Sequence, residues 1–135
     1  MEKSEISVLD SSVWVALYLD TDSHHAKAVV LVESLRGLVH VPYLVVAEVA
    51  TVLTRKGSKE HAYQFLEYIT TNSDFVTMHG DMIEEIREFV NVKKRLSFTD
   101  IAVVHYARKR GCTLLTFDKE MLRWFEKSRG AQQKP

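Results

Sequence analysis

Ile6-Ser7-Val8-Leu9-Asp10-Ser11-Ser12-Val13-Trp14-Val15-Ala16-Leu17-Tyr18-Leu19 is the stretch whose reading decides the fold. A short apolar segment, Ile6 to Leu9, stops at Asp10-Ser11-Ser12, residue types that favour turns and helix N-caps. An apolar run from Val13 to Leu19 follows at once and starts a helix. A strand therefore feeds directly into a helix, with an acid at the junction.

The same pattern recurs along the chain. Asp22-Ser23 is expected to cap a second helix, with Ala26, Val29, Val30 and Leu35 at helical spacing until Gly37. Leu38 to Val41 reads as a second strand, and Pro42 opens a helix that runs to Gly57. Ser58 caps the next, with Tyr63, Leu66 and Ile69 on one stripe. Phe75 to Met78 is a third strand, followed by Asp81 and a helix using Ile83, Ile86, Phe89 and Val90. Ser97 starts a helix through Ala102, Val103 and Ala107 to Gly111. Thr113 to Phe117 is the last strand, and Asp118 begins a terminal helix with Met121, Leu122 and Phe125. Lys127 to Pro135 is expected to be a frayed tail. Strands alternating with helices predict an α/β domain, with a mainly parallel central sheet of four or five short strands flanked by helices.

No repeat or composition break divides the 135 residues, so residues 1–135 are read as one domain. With 46% apolar and 27% charged residues the balance is that of a globular core, not of a disordered chain. The single cysteine, Cys112, has no partner for an internal disulfide and lies in an apolar run, which points to a reducing compartment and a packing role. The longest apolar run falls far short of the roughly 18 residues a membrane helix needs, and the N-terminus lacks a signal-peptide layout. A soluble, cytoplasmic protein is expected. Eighteen basic and eighteen acidic side chains cancel, so binding of a polyanion would depend on local patches or on metal ions.

The acids carry the chemistry. Asp10 and Asp118 each follow a strand and precede a helix, where a parallel sheet places its sites, although either would also serve as a simple N-cap. Ser97-Phe98-Thr99-Asp100 fits a capping box, which would account for Asp100 without any chemistry. Glu48 interrupts an apolar helix stripe, where a carboxylate is unfavourable unless it meets a cation; a salt bridge to Arg55 is one explanation. Four acids brought to one pocket would repel one another unless a hard divalent cation reverses the sign. Mg²⁺ or Mn²⁺ accepts such oxygen ligands and suits phosphoryl chemistry.

These segments resemble the PIN domain over nearly the whole chain. The likeness is carried by Val8-Leu9-Asp10-Ser11-Ser12, by Val41-Pro42-Tyr43-Leu44-Val45-Val46-Ala47-Glu48-Val49, by Leu96-Ser97-Phe98-Thr99-Asp100-Ile101-Ala102, and by Leu114-Leu115-Thr116-Phe117-Asp118-Lys119-Glu120-Met121. The resemblance implies a three-layer fold and a metal-dependent ribonuclease. In it Asp10, Glu48, Asp100 and Asp118 ligate Mg²⁺ or Mn²⁺, and the hydroxyls of Ser12 and Thr116 line the site. It is nearest to the VapC-type toxins of toxin–antitoxin pairs, which implies RNA as substrate, a homodimer and an inhibitory antitoxin. A housekeeping RNA-processing nuclease is the nearest alternative, and a non-catalytic RNA-binding or assembly module is the rival from another class.

Other constellations are weaker. The six histidines show no zinc spacing with cysteine, and no phosphate-cradling glycine loop or Gly-x-Ser-x-Gly elbow occurs. A phosphatase forming an aspartyl-phosphate would usually carry a second aspartate where this chain has Ser12. The basic groups Arg55-Lys56, Lys93-Lys94-Arg95 and Arg108-Lys109-Arg110 read as solvated helix ends able to guide a phosphate backbone. Leu44, Val46, Val49, Val52, Leu53, Tyr63, Phe65, Leu66, Tyr68 and Ile69 look like more apolar surface than one small core absorbs. Part of that surface is therefore expected to be buried in a twofold homodimer.

Overall fold

The computed structural model describes residues 5–133, with side chains described through Lys127. Four strands, β1 (Ile6–Leu9), β2 (Leu38–Pro42), β3 (Phe75–Met78) and β4 (Thr113–Leu115), form one sheet in the order β3-β2-β1-β4. Every pairing is parallel, with Val8 opposite His40 on one side and Leu114 on the other. Parallel neighbours cannot be joined by a tight turn, so each crossover carries helices. These are α1 (Ser11–Tyr18), α2 (His25–Glu33), α3 (Tyr43–Lys56), α4 (Lys59–Thr71), α5 (Met82–Asn91), α6 (Phe98–Arg110) and α7 (Lys119–Gln133).

The topology fixes the layers. From β1 to β2 to β3 the chain steps one way, and right-handed crossovers put α1 to α4 on one face. The return from β3 to β4 runs the other way and carries α5 and α6 onto the opposite face. Contacts agree: α1 touches α2 and α3, and α3 packs on α4, while α6 packs on both α5 and α7. The expected three-layer α/β architecture forms. Next to β1 the strand order reverses, since β2 lies on one side and β4 on the other. Open parallel sheets form a crevice at the carboxyl ends of such strands.

The core is built around rings. Trp14 and Phe65 are fully buried and meet edge-on with centroids 5.2 Å apart, and Phe75 and Tyr18 extend the cluster. Truncating Phe65 to alanine would cost about 3–5 kcal/mol on the usual scale for a buried ring. Gly111 closes α6 in the left-handed conformation, φ 67°, with Cys112 N–H donating to the Ala107 carbonyl and Gly111 N–H to that of Arg108. This is the helix stop that the Gly111 position suggested.

Four expectations need correction. Helix α2 is not capped by Asp22 or Ser23; Asp22 instead accepts the His24 N–H at 2.8 Å in a local turn, and the helix starts at His25. Strand β4 ends at Leu115, because the chain turns there to lay Thr116 against Asp10. Helix α7 continues to Gln133, beyond Lys127, since Glu126, Lys127, Arg129 and Ala131 are good helix formers and only Gly130 opposes them; of the proposed tail, residues 134–135 lie outside the described residues. The apolar surface left on α3 and α4 is smaller than expected: Val49, Leu53, Phe65 and Ile69 are buried, Leu44, Val46, Val52, Leu66 and Tyr68 are half-buried, and of the ten residues only Tyr63 is exposed. These helices consume their own surface by packing on each other and on β3. Five of the exposed large apolar side chains sit on α5, Met82, Ile83, Ile86, Phe89 and Val90, and the others are Val30, Leu38, Tyr43 and Tyr63 among the described residues.

Candidate active site

Asp10 is the first residue past β1 and the N-cap of α1. Its backbone N–H still donates to Leu115 at 3.1 Å, which extends the pairing with β4 by one bond. The side chain is 4% exposed and both its oxygens are engaged. Oδ1 accepts from the Ser12 hydroxyl at 2.6 Å and the Val13 N–H at 3.3 Å, and Oδ2 accepts from the Thr116 hydroxyl at 2.7 Å. Thr116 in turn accepts the Asp118 N–H at 2.9 Å. Asp118 caps α7, its Oδ1 accepting from Glu120 N–H at 3.0 Å and Met121 N–H at 3.1 Å. The two strand ends are thus tied side chain to side chain, and Ser12 and Thr116 orient Asp10.

Asp100 sits in the capping box that its spacing predicted. Ser97 Oγ accepts the Asp100 N–H at 3.1 Å, and Asp100 Oδ2 accepts the Ser97 N–H at 3.3 Å. Oδ1 is left without an intramolecular hydrogen bond among the described residues. Glu48 projects from the middle of α3, half-buried, and forms no ion pair with Arg55. The salt-bridge explanation for its place on an apolar stripe therefore falls away.

All four acids line one cavity of about 280 Å³. Burial raises the Asp10 carboxyl above its ordinary pKa, the bonds from Ser12, Thr116 and Val13 oppose the rise, and the charge of Asp100 adds to it. Burial likewise raises Asp100, with Glu48 and Asp118 adding to the effect and the capping bonds opposing it. Like charges converge here at the cost of ionisation, which three independent helix-end acids and a mid-helix glutamate would not require.

The same cavity is lined by Asp22, expected as a helix cap, by His24, given no role by its spacing, and by Lys56, one of the basic helix-end residues able to guide a phosphate backbone. His24 stacks flat on Phe117, centroids 4.7 Å apart and planes 12° from parallel. Lys56 brings a cation to the acids from the last turn of α3. These residues reach the cavity through the packing of α1, α2 and α3, which no local spacing encodes.

The donor set consists of hard carboxylate oxygens, which suits Mg²⁺ or Mn²⁺ and not a soft metal. Among the described residues no three His, Cys, Asp or Glu side chains stand together so as to hold a metal ion by themselves. The acids line an open cavity instead, the arrangement that leaves most positions on such an ion to water and substrate oxygens.

The structure has close relatives in shape. VapC20 from Mycobacterium tuberculosis, a sarcin-ricin loop cleaving toxin, superposes with a TM-score of 0.78 at 22% identity, over 88% of this chain and 94% of its own. PAE2754 from Pyrobaculum aerophilum does so with a TM-score of 0.56 at 23% identity, over 89% and 85%. At these identities the likeness is one of fold. A search of curated proteins gives no match. The family model for the PIN domain matches residues 7–125, from β1 into α7 and through all four acids. The chain belongs to the PIN domain family.

Proposed function

We propose that this chain is a ribonuclease dependent on Mg²⁺ or Mn²⁺, with Asp10, Glu48, Asp100 and Asp118 as its metal-binding and catalytic acids. The observation that carries the reading is the convergence of those four carboxylates on one cavity at the switch point of the sheet. When bound, the divalent ion supplies the positive charge that lets a phosphodiester enter and makes water acidic enough to be a nucleophile. Asp10, fixed by Ser12, Thr116 and Val13, gives the site a ligand that does not reorganise. Asp100 Oδ1, which accepts no hydrogen bond among the described residues, is the oxygen placed to take the proton of the attacking water. Lys56 holds a phosphate oxygen at the cavity wall, and the His24–Phe117 pair offers a flat face on which an unpaired base stacks. The products carry 5′-phosphate and 3′-hydroxyl ends.

A toxin acting in the cytoplasm with an inhibitory antitoxin completes the proposal; VapC20, whose fold this chain shares, is itself a sarcin-ricin loop cleaving toxin. Among the described residues no helix is long and apolar enough to cross a membrane. A homodimer is part of the reading: Tyr63 is exposed, and Leu44, Val46, Val52, Leu66 and Tyr68 on α3 and α4 are only half-buried. The test is cleavage of single-stranded and hairpin RNA by the purified protein with Mg²⁺, Mn²⁺ or EDTA, followed by analysis of the product ends. Metal-dependent cleavage leaving 5′-phosphates is expected, and it should be abolished by Asp10→Asn and by Asp100→Asn. Full activity in EDTA, or 2′,3′-cyclic phosphate ends, would refute the mechanism; tight RNA binding without cleavage would favour the non-catalytic module.

A further inference from the structure

A second cavity, of about 230 Å³, opens between the first turn of α3, the start of α5 and the first turns of α6. Its wall is apolar, with Leu44, Met82, Ile86, Phe98 and Ala102, and one carboxylate, Glu85, is set into it. Glu85 is 6% exposed, yet its carboxylate forms no hydrogen bond or ion pair with any described residue, and only the charge of His105 acts favourably on it. Its neighbours Glu84 and Glu88 on the same helix are both satisfied, by His105, Arg108 and Lys109. Gly80 presses its backbone against the group: a Cβ there would lie 2.0 Å from Glu85 Oε2. A buried carboxylate facing an apolar hollow calls for a cation.

We propose that this cavity receives an arginine side chain of a polypeptide partner, its guanidinium paired with Glu85 and its hydrocarbon stem against the apolar wall. Charge complementarity selects a cation, and the planar, weakly hydrated guanidinium suits a site edged by the stacked Tyr43 and His79 rings. A polypeptide is required because the apolar surface continues past the cavity. Tyr43, Met82 and Ile86 line it and remain exposed, and Phe89, against the lining Phe98, extends the exposed apolar surface along α5, more than a small amine would cover. The proposal does not depend on the nuclease reading, and its test uses binding alone.

The probe is the blocked tripeptide acetyl-leucyl-arginyl-leucine amide, titrated into the ¹⁵N-labelled full chain and followed by amide shifts. Its counterpart has neutral citrulline in place of arginine. The arginine peptide should bind with a Kd on the order of 1 mM and move the amides of Tyr43, Gly80, Glu85 and Phe98. Citrulline should bind about tenfold more weakly, and Glu85→Gln should remove that difference. Ala102→Leu, which fills the cavity, should block both peptides. Equal binding of the two peptides to the wild type, no shifts at about ten times that concentration, or shifts centred on Ser12, His24 and Asp118 would each overturn the proposal. So would a dimer in sedimentation whose formation alone moves the cavity amides, since the occupant would then be a second copy of the chain.

Discussion

Asp10 is held at both oxygens by groups from two strand ends, and most of what distinguishes this site is already present in that one side chain. Thr116 is the informative partner, because it donates to Asp10 while receiving the Asp118 N–H. Thr116→Val keeps the shape and removes both bonds. Cleavage is expected to fall about 10- to 100-fold, the range seen when the group behind a metal ligand is lost, and stability by about 1–3 kcal/mol from the weakened buried carboxylate. Steady-state kinetics and urea melts measure the two; unchanged kinetics would show that Thr116 merely packs. At this scale the sequence was legible for Asp10, Asp100 and Asp118, each of which is also the helix cap its spacing suggested. Capping and lining the cavity were not alternatives: Asp100 caps with Oδ2, which leaves Oδ1 free. His24 was illegible, and Lys56 could not be told apart from the other basic helix ends, since nothing within a few residues of either marks the cavity they reach.

Among the elements, α5 departs furthest from what its sequence alone suggests. Its periodicity predicted an amphipathic helix, and it is one, but the apolar residues that defined the stripe remain exposed while Glu85 turns inward. Beside the edge-on contact of Phe89 with Phe98, what docks α5 on α6 is polar: Arg108 donates to both oxygens of Glu88 at 2.8 Å, and Lys109 to Glu84 at 2.6 Å. Lys109 and His105 hold the Glu84 carboxyl below its ordinary pKa. Glu85 behaves oppositely. Burial raises its pKa, His105 opposes the rise, and Asp81 and Glu84 add to it. A raised folded-state pKa means that the ionised form is disfavoured by folding. The neutral group's contribution is complete below the unfolded value, about 4.3, and is lost as pH rises through the folded value. Glu85→Gln should therefore match the wild type in urea midpoint near about pH 4 and exceed it at about pH 7. A midpoint difference that does not change with pH would mean that Glu85 finds a partner in solution. Elsewhere the elements were legible where a cap, a glycine or a strand-to-helix junction marked their ends, as at Asp81, Ser58 and Gly111. The start of α2 was not, because Asp22 makes a turn that a cap would equally have explained.

For the whole molecule, the alternation of strands and helices foretold a parallel sheet but not its order. Partners such as Ser7 and Thr113 lie far apart in sequence, and no short-range pattern says that β4 pairs with β1 and not with β3. That one choice gathers the site, since it sets the acid after β1 beside the acid after β4. The gathering has a thermodynamic consequence for the entire fold. Ionised Asp100 is disfavoured by burial and by the charges of Glu48 and Asp118. Asparagine keeps a side-chain oxygen for the Ser97 N–H, so Asp100→Asn removes the repulsion and preserves the capping box. If Asp100 only capped its helix, loss of its charge from the N-terminus would lower stability modestly. The expected result is the reverse: without metal at neutral pH the variant melts higher, at about 4 °C for each kcal/mol of repulsion removed. Mg²⁺ should raise the melting temperature of the wild type, because it binds the folded cavity and finds no preformed site in the unfolded chain. That increase should shrink or vanish in Asp100→Asn and in Asp10→Asn. Thermal melts of the three proteins in EDTA and in Mg²⁺ decide the matter. An equal response of all three to Mg²⁺, with Asp100→Asn melting below wild type in EDTA, would leave these acids as helix caps and nothing more.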